Sequence, residues 1–342
     1  MPFRRQNDTI RGGFDSIEDE ALDAAATVSQ AENSSQDGES WGALSFNINL
    51  QEASSMEELL FPWIAPNIVG DLGELKPVSD ITQSFNWVTA QMKTYPRLFA
   101  RQAETPFIHK SLYPDLKPRS IRAALTVCAA SENVVEANKS MLFRILDAEV
   151  VDLLQPGSGS TPTLLEDLAK LQAIVLYQII RLFDGGLSQL TVLEQQADML
   201  KALALGLLQR SDVELRDAQP GWESWILAES VRRTVLLVFL VYGVRSVYQH
   251  GVCLELPTLV LLPVSTQAGF WNSKASYVEL GDQAGTLKYN DFSTLWLTSP
   301  PRELQAFEKL LLVSCKGIDQ VQAHGGLDLA NQNVQPGMSQ SY

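Results

Sequence analysis

The side chains of this sequence best suited to chemistry are two groups of acids. Glu166 and Asp167 are adjacent, and Asp212, Glu214 and Asp217 follow one another closely. Grouped carboxylates supply the hard oxygen ligands that Mg2+ requires, and on helices they would suit metal-assisted ionisation of a diphosphate. That chemistry needs an aspartate-rich cluster facing a second carboxylate motif. Neither stretch has that form, so both read as exposed helix ends or loop charges. The histidines His109, His250 and His324 are far apart, and no two have the spacing of ligands on one helix. Cys128, Cys253 and Cys315 lie more than sixty residues from one another. This fits neither a disulfide framework nor a zinc motif and leaves a reducing compartment as the default. No nucleophile sits in a Gly-flanked elbow, and Gly-rich phosphate loops of the Walker or Rossmann type are absent. No catalytic, cofactor-binding or metal residue is therefore assigned, no cofactor is expected, and the chain is not expected to be an enzyme.

A second constellation carries charge without obvious catalysis. Trp222, Trp225, Glu229, Arg232 and Leu236 are offset by three, four, three and four residues, which places them near one side of a helix. Glu229 can reach Arg232 at i+3 and Arg233 at i+4, so charges entering an apolar setting have a partner at hand. The apolar block Val235 to Val244 follows directly. The expectation is a buried structural helix, opened by Pro220-Gly221 with Glu223 favourably placed in its first turn. His109 is expected to be a structural hydrogen-bonding residue.

The elements that must position these groups read as helical from about Asp80. Phe85, Val88, Met92 and Tyr95 form an apolar stripe that should end at Pro96. A Pro-bounded connection follows, with Thr105-Pro106-Phe107-Ile108-His109, Leu112-Tyr113-Pro114 and Pro118. Helices are expected over Arg119–Ala130 and about Glu132–Leu154, the second with Val135, Met141, Leu142, Ile145 and Val150 inward. Gln155 to Ser160 reads as a flexible link. Helices over Thr163–Phe183 and Leu187–Leu208, parted by Asp184-Gly185-Gly186, suggest an antiparallel hairpin. Their stripes are Leu165, Leu168, Leu171, Val175 and Ile179, then Leu193, Leu200, Leu203 and Leu207. Val252 to Val264, cut by Pro257 and Pro263, should be an extended connection rather than a sheet. Residues 265 to 300 should be loop and short helix anchored by Trp271 and Trp296, before a last helix over Arg302–Val313.

The 342 residues are 45% hydrophobic, enough for a sizeable core. The net charge of −14 is unevenly placed. Gly12 to Glu74 holds thirteen Asp and Glu and no Lys or Arg, a charge of −13, so the body is nearly neutral. A body without a basic patch argues against direct phosphate contact with DNA. The sequence shows no secretory signal, and its longest apolar run is about half of a membrane span. The expected organisation is a disordered acidic tail over 1–40, an acidic-aromatic segment over 41–79, a helical body over 80–322 and a flexible tail over 323–342. In the second segment Trp41, Leu44, Phe46, Leu59, Leu60, Phe61 and Trp63 mix with Glu52, Glu57 and Glu58, as in activation segments that fold on a partner. Docking on the protein's own core is the equal alternative.

Four pieces, in order, carry a resemblance: Tyr95-Pro96 with Phe99-Ala100; Thr105 to His109 with Leu112-Tyr113; the helical stretch Leu125 to Leu154 containing Asn138; and Trp222-x-x-Trp225 with Glu229 and Arg232-Arg233. Over roughly residues 80 to 300 the chain resembles the regulatory domain of fungal zinc-cluster transcription factors, the fungal-specific transcription factor domain. The resemblance implies an all-α, multi-helix regulatory body that dimerises or senses an effector. It also implies a nuclear regulator of transcription in a fungal, secondary-metabolic gene cluster. That family normally opens with a six-cysteine module holding two zinc ions. Here Cys128 is the first cysteine, so no such cluster forms from these residues. A lost first exon, a DNA-bound partner and a new task for the domain are the three explanations. The expected partners are a DNA-bound transcription factor or the transcription machinery, and a homo- or heterodimer, without direct DNA or membrane contact. The alternative is a small-molecule-processing helical enzyme, or a non-transcriptional adaptor, encoded beside a metabolic pathway. The enzyme would need convergent acid-base groups between the Leu187–Leu208 and Trp222–Val247 helices.

Overall fold

Two helices that are apolar nearly all round form the centre of the body, because a helix without a polar face must be surrounded. In the computed structural model these are α4 (Leu164–Asp184) and α7 (Trp222–His250). From Leu171 to Arg181 every side chain of α4 is buried, as is every side chain of α7 from Arg233 to Ser246. Around them lie α1 (Val78–Gln102), α2 (Arg119–Ser131), α3 (Glu136–Leu154), α5 (Gly186–Gln195) and α6 (Ala197–Glu214). The C-terminal part adds α8 (Leu256–Leu259), α9 (Lys274–Leu280), α10 (Tyr289–Thr298), α11 (Ala306–Lys316) and α12 (Ile318–Ala323). The structure describes residues 78–116, 118–155, 161–216 and 221–326. The readings made for residues 1–77, for most of the 155–160 link and for the tail beyond 326 lie outside these. The described chain is all-α apart from one small ribbon, and none of its helices is long and apolar enough to cross a membrane.

Local signals account for most boundaries. Thr163 caps α4 by accepting from the Glu166 amide at 3.2 Å, while Glu166 accepts from the Thr163 amide at 2.8 Å. This reciprocal pair satisfies two donors that a helix start leaves free. Asn138 makes one half of such a pair for α3, its Oδ1 accepting from the Val135 amide at 2.8 Å. Gly251, at φ 75, closes α7 in the left-handed conformation that a side chain disfavours.

Four expectations need correction. Pro96 does not end α1, which runs on to Gln102; the turn comes at Ala103, held at φ 53. The lost hydrogen bond at Pro96 is tolerated because Tyr95 and Phe99 are both seated in the core. In α3, Leu142, Phe143, Leu146 and Val150 are buried, whereas Val135, Met141 and Ile145 are exposed, so the helix is turned from the orientation its apolar residues suggested. The helix expected over Leu187–Leu208 is broken at Gln196, whose side chain accepts from Gln178 Nε2 at 2.7 Å, and Leu203 is exposed. The Val252–Val264 connection ends in a strand: Pro263–Ser265 pairs antiparallel with Thr286–Lys288, Val264 opposite Leu287. A proline is tolerated at the first residue of a strand, where its missing amide breaks no ladder. Two further helix ends moved by a few residues: the last expected helix is α11 from Ala306, with α12 after it. Trp271 and Trp296 are buried as anchors.

Candidate functional site

The acidic groups first considered for metal chemistry do come together, but around an arginine. Arg210 on α6 places Nη1 2.6 Å from Asp167, Nε 2.5 Å from Glu214 and Nη2 2.7 Å from the Pro162 carbonyl. Their charge is used in fastening α6 to the start of α4, and Glu166 is used in capping. Asp217 lies outside the described residues. Among those residues no three His, Cys, Asp or Glu side chains converge as metal ligands.

The second constellation assembles a buried polar centre. Glu229 is 3% exposed and accepts from Arg233 Nε at 2.8 Å and from Arg232 Nε at 3.0 Å. Arg232 keeps partial access to water, whereas the Arg233 side chain is buried. Burial depresses the Arg233 pKa, and the carboxylate of Glu229 opposes that shift. The guanidinium also donates from Nη1 to the Pro106 carbonyl at 2.8 Å. Its central carbon lies 3.9 Å from the Trp271 ring centroid and 5.1 Å from that of Phe307. Stacking of a weakly hydrated, planar cation on aromatic rings suits arginine far better than lysine.

Each partner is positioned by a local device. Thr105 Oγ1 accepts from the Phe107 and Ile108 amides at 3.3 and 2.9 Å, folding the loop so that the Pro106 carbonyl faces α7. Trp271 closes a 3-10 turn, Ala268–Trp271, which Trp222 ties to α7 by donating Nε1–H to the Phe270 carbonyl at 2.9 Å. Beneath the loop, Gln172 on α4 donates to the Phe107 carbonyl at 3.1 Å and to Thr234 at 3.2 Å, and accepts from the Tyr113 hydroxyl at 2.7 Å. A wholly buried glutamine with both ends engaged fixes the loop against both central helices.

His109 holds the structural place expected of it. Its ring meets Trp222 and Trp271 edge-on, at centroid separations of 5.5 and 4.9 Å. Nδ1 accepts from the Ser111 amide at 3.2 Å, so the proton sits on Nε2 and is donated to the Trp271 carbonyl at 3.0 Å. Burial lowers the His109 pKa from its ordinary 6.5, with the Trp271 carbonyl opposing the shift. The unfolded chain then takes up this proton at higher pH than the folded one. Stability should therefore fall as pH drops below about 6.5 and level off beneath the folded-state pKa. Denaturant melts at pH 7.5 and 5.5 should show a smaller pH difference in His109→Gln than in the parent. Equal differences would place this pH dependence elsewhere.

Two cavities are defined in this region. One, of about 430 Å³, lies between α1 and the end of α4, with Lys93, Arg97, Arg101 and Glu132 over Ile180 and Phe183. The other, of about 310 Å³, opens beside Arg233 and is lined by Leu98, Thr105, Pro106, His109, Trp271 and Phe307 among others. Neither lies between the helices that the enzyme alternative required. Glu229, Arg232, Arg233 and His109 are legible in the sequence as a charged or polar group, and Trp271 is legible only as an anchor; Gln172 and Phe307 enter the site through the tertiary structure. A buried-helix glutamine was the one available signal, since Gln172 interrupts an apolar face.

The class of molecule is thus an all-helical body with a packed, partly charged core. Over 270 residues the chain is 26% identical to "Transcription factor gsfR2" of Penicillium aethiopicum, an alignment covering 74% of this chain and 63% of that protein. The chain is related to a fungal transcription factor and spans less than two thirds of its length. No family model and no solved structure matches the chain.

Proposed function

We propose that this protein is a regulator of fungal gene transcription acting in the nucleus, with residues 80–322 as its regulatory domain. The observation that carries the reading is the relationship to a named fungal transcription factor across most of the chain. Two of the four sequence pieces behind the family resemblance meet at one place, Thr105 to His109 and Glu229 with Arg233 on α7, with Gln172 beneath them. The finer reading is a regulator of a secondary-metabolic gene cluster. DNA contact is supplied by something other than these 342 residues: a zinc-cluster module encoded ahead of them, or a DNA-bound partner. The segment 41–79, acidic and aromatic, is the activation or docking region.

The test is a fusion of the chain to an unrelated DNA-binding domain before a reporter gene. Activation is expected, and replacing Trp41, Phe46, Leu59, Leu60, Phe61 and Trp63 with Ala should abolish it. A fusion that never activates removes the activation part of this reading. Activation untouched by the six substitutions moves it out of the 41–79 segment.

A further inference from the structure

We propose that the cavity beside Arg233 is a binding site for a small organic monocarboxylate with an apolar body. Three edges of the Arg233 guanidinium are available for donation. Nε is taken by Glu229 and Nη1 by the Pro106 carbonyl. Among the described residues Nη2 has no acceptor, and Arg233, its side chain only 3% exposed, lines the cavity. A buried cation that lines a cavity and has a donor without an acceptor is a ready partner for a carboxylate oxygen, since charge-assisted bonds to guanidinium are the stronger kind.

Charge bookkeeping gives the ligand its valence. Glu229 serves both Arg232 and Arg233, so one positive charge is left over. Nearby charges cancel: Lys110 pairs with Glu104 at 3.3 Å, and Arg302 pairs with the buried Glu308. His109, with Nδ1 already accepting from Ser111, is neutral. A monoanion balances this surplus, whereas a phosphate dianion would overshoot it. The walls give the ligand its body: Leu98, Pro106, Ile108, Trp271 and Phe307 offer an apolar lining, and about 310 Å³ is at the lower end of the range for small-molecule sites. The site stands on this geometry alone; that its occupancy tunes transcription rests on the reading given above.

The test uses the full chain with benzoate, 3-phenylpropionate and octanoate, each beside its uncharged amide, in calorimetry and ligand-detected NMR. At least one carboxylate should bind with a Kd on the order of 1 mM or tighter, as expected of a fragment-sized ligand. Its amide should bind at least about tenfold more weakly, the loss expected where a charge-assisted bond is replaced. Arg233→Lys should weaken binding, but it also disturbs the core. Ala306→Trp is therefore the decisive variant: Ala306 is exposed and lines the cavity, so an indole there should block binding while leaving the melting temperature unchanged. The proposal is overturned if no carboxylate binds, if the amides bind equally well, or if Ala306→Trp binds like the parent. Binding is read without transcription, and the reporter fusion is read without ligand, so either result can fail alone.

Discussion

Glu229→Ala is expected to lower the unfolding free energy by about 3 to 5 kcal/mol, the usual penalty for removing one partner of a buried ion pair. The side chain is 3% exposed and neutralises two guanidinium groups at 2.8 and 3.0 Å. Arg232 can turn its charge towards water, but Arg233 is enclosed by Trp271, Phe307 and the Pro106 carbonyl and has nowhere to go. Urea denaturation of the parent and variant measures the difference. Replacing both members, as in Glu229→Leu with Arg233→Met, should recover part of the loss, because no buried charge is then stranded. A double variant that is as unstable as the sum of the two single variants would show that packing, and not charge, sets the cost.

Trp225→Ala should cost a similar amount, about 3 to 5 kcal/mol, for a different reason: a large buried ring leaves a cavity that its neighbours fill only in part. Trp225 is 9% exposed and packs with Ile226, Phe270 and Trp271 in a cluster separate from the main core. Its ring meets Phe270 edge-on at 5.5 Å and Tyr277 at 6.2 Å. The loss should therefore concentrate in residues 268–280, which hydrogen exchange would show as faster opening there than in α4. Since Trp271 belongs to the same cluster, the stack on Arg233 should loosen too, joining this prediction to the carboxylate site. Melting like the parent's would mean that the indole contributes little in place.

The relationship to a transcription factor and the buried Arg233 centre are compatible with one molecule. A charged group inside a packed interior is a natural point at which a ligand could bias one arrangement over another. The Arg210 junction shows the contrast. There the same residue types, Asp167 and Glu214 around a guanidinium, serve as a clasp between helices, and Lys170, 3.5 Å from Asp167, balances the second carboxylate. At Arg233 the balance is incomplete, and a cavity lies beside it.

What the sequence determined by itself are features that one stretch of chain settles locally. The helical character of α4 and α7 follows from apolar residues in long runs without breakers. The reach of Glu229 to Arg232 and Arg233 follows from the pitch of one helix, and the capping of α4 by Thr163 and Glu166 from three residues of spacing. What only the tertiary structure decided are relations between distant residues. Pro106 is 127 positions from Arg233, and His109 is 162 from Trp271, so no periodicity could bring them together. The inward side of α3 belongs to the same class: with Met141, Leu142, Phe143, Ile145, Leu146 and Val150 available, more than one face is apolar, and only the neighbouring helices choose among them. Pro96 lies within α1 because packing of Tyr95 and Phe99 outweighs a local preference of a few kcal/mol. Local geometry acts over a few residues and can be read along the chain. Which buried faces meet, and which charged side chain comes to line a cavity, depends on the simultaneous packing of all the helices.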